Sequence, residues 1–191
     1  ELTFYESPDH EELYHMYFGF SNGLRVHKIY PWKFGFEDSN NNVVIKPAWD
    51  GALPFADGLA AVNVGGRPRR QDQSQYSTKE GKWGYIDTTG KLVLPLIYEY
   101  AHCFVEGLAK VSIGGKWGFI DRKGKLVIPA KYDFVVSYHN GFAIVSMGSR
   151  GGLTGYVSGG QWGFIDKKGR EVVAPKYTEV GRFNDGMAKV R

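Results

Sequence analysis

The chain has 191 residues, a formal net charge of +4, 15% aromatic side chains, 26 glycines and a single cysteine, Cys103. One cysteine excludes an internal disulfide, and no apolar run approaches the roughly 18 residues of a membrane-spanning helix. Lysines and arginines scattered along the whole sequence do not make the one-sided basic patch of a nucleic-acid-binding surface.

Residues 1–33 read as a half repeat, marked by Tyr14, Phe20, Gly23 and Leu24, whose spacing returns in every later block. Within it, His10-Glu11-Glu12-Leu13-Tyr14-His15 resembles a zinc-protease motif. That chemistry needs two histidines four apart on one helix face, and here Tyr14 holds the required position. A surface stretch without metal is the expectation. Glu1 stands where a methionine would open a reading frame, so the compartment stays unassigned.

Copy one, residues 34–66, opens on Phe34-Gly35, and an insertion occupies 67–81. Copy two, 82–115, begins Lys82-Trp83-Gly84-Tyr85-Ile86-Asp87; copy three, 116–148, begins Lys116-Trp117-Gly118-Phe119-Ile120-Asp121. A second insertion spans 149–160, and copy four, 161–191, opens on Trp162-Gly163 and stops where a further block would be due. Trp83 and Trp117 are 34 residues apart; the longer spacings elsewhere fit the two insertions. A second aromatic follows each opening ring (Trp49, Tyr98, Tyr132, Tyr177), then a third (Phe55, Phe104, Tyr138, Phe183), then a glycine (Gly58, Gly107, Gly141, Gly186). A fixed period of about 20–50 residues signals a tandem array in which each unit packs on its neighbours.

Each copy predicts a three-stranded antiparallel meander. From the end of copy two into copy three, 108–113 is a strand, Gly114-Gly115 suits a tight primed turn, and 116–121 is the second strand. Asp121-Arg122-Lys123-Gly124 turns into a third over 125–128. Pro47, Pro95, Pro129 and Pro175 are expected at the ends of the third strands, where a missing N–H is tolerated. The runs Val127-Ile128 and Val172-Val173 suggest strands covered on both faces. In copy one, Glu37-Asp38-Ser39-Asn40-Asn41-Asn42 takes the place of the short turn. The fold class is therefore all-β, a tandem array of meanders. A period of 34 is short beside the ~40–50 residues of propeller blades, which favours an open, spiralling array over propeller-like closure.

Phe34, Trp83, Trp117 and Trp162, with Gly35, Gly84, Gly118 and Gly163, form the expected structural repeat core. Burying one indole removes about 150–250 Å² from water, an upper bound of about 4–6 kcal/mol. Each glycine suggests close approach by a neighbour's ring or backbone. These residues resemble the WG-repeat family, also called KWG repeats, through the shared Trp-Gly-Phe/Tyr-Ile-Asp-x-x-Gly-x-x-Val core. The resemblance implies an all-β module attached to many different, mostly bacterial, proteins, with no general activity of its own.

Catalytic residues, metal ligands and cofactors are not expected. Asp87, Asp121 and Asp166 sit in Asp-x-x-Gly turns and supply one carboxylate each, too few for calcium. His27, His102 and His139 are separated in sequence, and Cys103 beside Phe104 reads as a packed thiol. Gly148-Ser149-Arg150-Gly151-Gly152 lacks a Walker ending and reads as a loop. Insertions between repeats emerge as loops on one face, so Arg67, Arg69, Arg70 and Tyr76, with Tyr156 in the second insertion, are the candidate binding residues. The leading functional reading is a non-catalytic module for protein–protein interaction or scaffolding. Second is a glycan-binding module using Tyr76, Tyr156 or Trp32; third is the accessory part of an enzyme whose catalytic domain lies outside this chain. Nucleic acid ranks last as a partner.

Overall fold

The computed structural model describes residues 19–29, 32–66, 80–151, 157–183 and 186–191. Every regular element among them is a β-strand, and all pairings are antiparallel. The described residues fall into two compact units, one ending at Phe104 and one beginning at Val105.

In the first unit, β1 (Arg25–Ile29), β2 (Lys33–Glu37) and β3 (Val43–Trp49) form one sheet. A second sheet contains β4 (Gly51–Ala52), β5 (Leu59–Val64), β6 (Lys82–Asp87) and β7 (Leu92–Tyr98), and β8 (Tyr100–Ala101) follows. The second unit repeats the plan. In it β10 (Lys116–Asp121) lies between β9 (Leu108–Ile113) and β11 (Leu126–Tyr132). Next come β12 (Phe134–Val135), β13 (Phe142–Met147), β14 (Gln161–Asp166) and β15 (Glu171–Tyr177), in that order across their sheet. The meander of three long strands thus gains a two-residue strand that the sequence pattern did not announce. A single acidic residue, Asp50, Glu99 or Asp133, separates the third strand from the short strand after it.

The two aspartates are clipped in place. Asp50 accepts from Lys33 Nζ at 2.7 Å and from the Gly65 N–H at 2.9 Å. Asp133 accepts from Lys116 Nζ and from the Gly148 N–H. Burial raises the Asp133 carboxyl, but the lysine and the N–H outweigh it and leave it below the usual carboxylate range. In copy four both partners change together, to Gln161 and Thr178, and Thr178 instead donates to the Arg191 carbonyl.

The third strands are longer than expected and carry their prolines inside, not at the end: Pro47, Pro95, Pro129 and Pro175 each lie within the strand. The reason is a register shift. Trp83 pairs with Tyr98 and Tyr85 with Leu94, so the third strand bulges between them, and the other copies do the same. A bulge interrupts the ladder, which is where a missing N–H is harmless. The same bulge explains the Trp-Gly glycine. A Cβ on Gly84 would lie 2.6 Å from the Leu94 carbonyl oxygen, and one on Gly118 2.5 Å from that of Ile128. Close approach comes from the copy's own third strand, not from a neighbour.

Covering on both faces is also corrected. In β11, Ile128 is buried while Leu126 is exposed, and in β15 Val172 is 51% exposed. Copy one, despite its sequence, keeps the turn: Asp38 Oδ1 accepts from the Asn40 and Asn42 N–H groups, as Asp87, Asp121 and Asp166 do in theirs. Asn41 adopts φ 62° there and replaces glycine in the left-handed position.

The core is a ladder of ring pairs. Phe36, Tyr85, Phe119 and Phe164, two residues beyond each opening ring, are at most 1% exposed. Each meets the third aromatic of its own copy: Phe36–Phe55, Tyr85–Phe104, Phe119–Tyr138 and Phe164–Phe183, with centroids 4.6 to 5.1 Å apart. The indoles of Trp83, Trp117 and Trp162 are buried as well.

Candidate functional site

Arg67, Arg69, Arg70, Tyr76 and Tyr156 lie outside the described residues, as do His10 and His15. Trp32 is exposed, but the Lys28 ammonium sits over its ring at 4.1 Å, which occupies one face. Among the described residues no group of three or more His, Cys, Asp or Glu side chains converges as metal ligands would. The turn aspartates are taken up by backbone N–H groups, and Thr89 donates a further bond that holds the Asp87 carboxyl below its usual range. Cys103 is buried, points Sγ at the Pro54 carbonyl at 3.4 Å, and is pushed up to about 12 by burial. A thiol so placed is not a nucleophile at neutral pH.

Comparing copies in register reveals two substitutions. Ala60, Val62 and Ile86 are fully buried, as are their counterparts Ala109, Val111 and Ile120, and Ala143, Val145 and Ile165. In the first sheet the same three places hold Arg25, His27 and Glu37. The Glu37 side chain is 10% exposed; Oε1 accepts from Arg25 Nε at 2.6 Å and Oε2 faces His27 Nδ1 at 2.6 Å. Burial raises the Glu37 carboxyl, and the Arg25 and His27 contacts more than reverse it, so it lies below the ordinary value. Sequence alone left His27 isolated because the pairing depends on strand register.

The second departure is Lys110, opposite Phe119, where the other copies carry Ala61 opposite Tyr85 and Ile144 opposite Phe164. Its ammonium lies 5.5 Å from the Trp117 ring centre and 5.8 Å from that of Phe134, within 3.5 Å of the Val135 carbonyl oxygen. Burial lowers it to about 8.

Exposed apolar side chains recur on the third strands of both units. Val43 and Val44 of β3, Leu92, Val93 and Ile97 of β7, Leu126 of β11 and Val172 of β15 are 40–56% exposed. Their alternate neighbours Ile45, Leu94 and Ile128 point inward. In the first unit, a Cβ on Gly90 would lie 3.1 Å from Ile45 Cγ2, so the turn entering β7 rests against the middle of β3. Lys46 and Lys176 lie on these strands, as does Lys131, which bonds Glu171 at 3.2 Å.

Bulged meanders with a buried Trp-Gly step, repeated along the chain, define a tandem β-repeat protein. The family model for the WG containing repeat matches residues 34–67, 83–117, 117–150 and 162–191, and the chain belongs to that family. No curated protein matches the chain.

Proposed function

We propose that the chain is a non-catalytic interaction module that presents the outer rows of its third strands to a protein partner. One observation carries the reading: Val44, Val93 and Val172, at the same place in three copies, are 49%, 41% and 51% exposed. Clustered exposed apolar side chains mark contact sites far more often than single scattered ones do, and Val43 with Val44, and Leu92 with Val93, are adjacent exposed pairs. The strands that bear them end their sheets, and an edge strand invites pairing with another chain. Pro47, Pro95, Pro129 and Pro175 lack the N–H that such pairing would use. Recognition is therefore expected through side chains, with repetition supplying area and avidity.

A photo-crosslinking residue placed in turn at Val44, Val93 and Val172, and for comparison at Lys123 in a turn, tests this in the organism that makes the protein. The row positions are expected to capture a common protein that Lys123 does not. Equal capture from all four positions, or capture of polysaccharide in place of protein, overturns the reading.

A further inference from the structure

The chemistry of the partner follows from how the charges are used, and this step rests on the reading just given. Carboxylates here are committed within the fold. Asp38, Asp87, Asp121 and Asp166 hold their own turns, Asp50 and Asp133 are clipped by lysine and glycine, and Glu37 is held by Arg25 and His27. Glu171 is answered by Lys131. Two of the three third-strand lysines are used differently. Lys46 and Lys176 are exposed, and no carboxylate among the described residues pairs with either. In each unit one third strand thus carries an exposed lysine together with exposed valine, Lys46 with Val44 and Lys176 with Val172.

We infer that the third-strand rows bind an extended, acidic polypeptide segment carrying apolar residues at alternate positions. Extension follows from spacing. Val44 and Lys46 are both exposed and flank the buried Ile45 of β3, so a complementary chain must offer an apolar group and a carboxylate at a matching step, which a strand-like backbone does. The charge preference has an internal template, since Glu171 already reaches Lys131 from the neighbouring third strand. Nucleic acid fits less well: its recognition draws on arginine and on open aromatic faces for stacking, whereas these rows offer valine, leucine, isoleucine and lysine.

Selection of a random dodecapeptide library on the immobilised whole chain, with fluorescence anisotropy on the peptides recovered, tests the inference. The recovered peptides are expected to be acidic with alternate apolar residues. Affinity should fall about tenfold for the Lys46→Glu/Lys176→Glu variant and with added salt, as expected for charge-complementary binding. A labelled oligothymidylate serves as the nucleic-acid probe and is expected to bind more weakly than the selected peptides. Recovery of neutral or basic peptides whose binding is lost in Val44→Asp/Val93→Asp would leave the row as the contact surface and overturn its acidic preference. Peptides that bind this variant undiminished would remove both. Tighter binding of oligothymidylate, or no enrichment at all, also overturns the inference. All four substitutions fall at exposed positions, and near-ultraviolet circular dichroism confirms that the variants fold.

Discussion

Phe119 and Tyr138 face each other with ring centres 4.9 Å apart, and the Tyr138 hydroxyl continues past the ring to donate to the Asp166 carbonyl at 2.9 Å. One contact therefore joins the strand of one copy, the third aromatic of the same copy and the turn of the next. In the first unit Tyr85, the counterpart of Phe119, bonds within its own copy instead, donating to the His102 carbonyl at 2.9 Å. Phe119→Ala should destabilise the protein by about 3–5 kcal/mol, the range for emptying a buried aromatic site. Urea denaturation measures it; a loss below about 1 kcal/mol would show that the ring pairs are not what holds the copies together.

Two glycines with opposite surroundings separate crowding from backbone strain. Gly84→Ala drives a methyl into the Leu94 carbonyl and should cost about 3 kcal/mol, the upper end of ordinary overpacking. Gly107 has φ 85° and nothing within 4 Å of an added Cβ. Gly107→Ala should cost only the strain of the left-handed region, about 1–2 kcal/mol. Equal losses in thermal melts would contradict the role assigned to the bulge.

Acid should act on the first sheet through Glu37. Its carboxyl titrates below the ordinary value in the fold and at that value when unfolded. Its contribution is therefore present above the unfolded value and is lost as pH falls through the folded one. The variant Arg25→Ala/His27→Val/Glu37→Ile restores the side chains of the other copies and should lose this part of the acid sensitivity. Replacing a buried ion pair by matched apolar groups is commonly neutral or stabilising, and with Arg25 36% and His27 26% exposed the change here should stay within about 1 kcal/mol of neutral at pH 7. Glu37→Ala alone, which takes the carboxylate away from Arg25 and His27, should destabilise. Urea midpoints at pH 3, 4 and 7 distinguish these outcomes, and an unchanged acid profile in the triple variant would rule the cluster out.

Lys110 gives a pH slope of the same direction in the alkaline range, but from a group whose charged form costs the fold stability. Its ammonium is lowered to about 8 in the fold from an ordinary 10.5. Between those values the unfolded chain binds more protons, so this group makes stability rise with pH from about 8 toward 10.5. Lys110→Ile, copying Ile144, should raise stability at pH 7 and flatten that rise. Denaturation at pH 7 and 9.5 checks both parts.

Much of the fold was legible because its determinants are local and repeated. Gly114-Gly115 takes φ of 59° and 72°, as a two-residue primed hairpin requires, and the aspartate turns follow from one carboxylate and two nearby N–H groups. The bulge was not legible, since it appears only when Trp83 is paired with Tyr98 across the sheet. Placing prolines at strand ends followed from assuming an unbroken ladder. The polar cluster was hidden for a related reason: Arg25 and Glu37 are 12 residues apart and meet only through register. Exposure of the valine pairs was missed because consecutive apolar residues resemble a buried strand unless the alternation is resolved.

The hairpin that joins the first two long strands of each sheet closes on the same rung whatever lies beyond it. Val64 meets Lys82, Ile113 meets Lys116 and Met147 meets Gln161, although the intervening segments differ greatly in length. Those rungs act as a fixed socket. Foreign sequence, whether an epitope, an affinity tag or a second recognition loop, can be grafted between Gly114 and Gly115 with the ladder intact on either side, which makes this protein a practical scaffold for loop display.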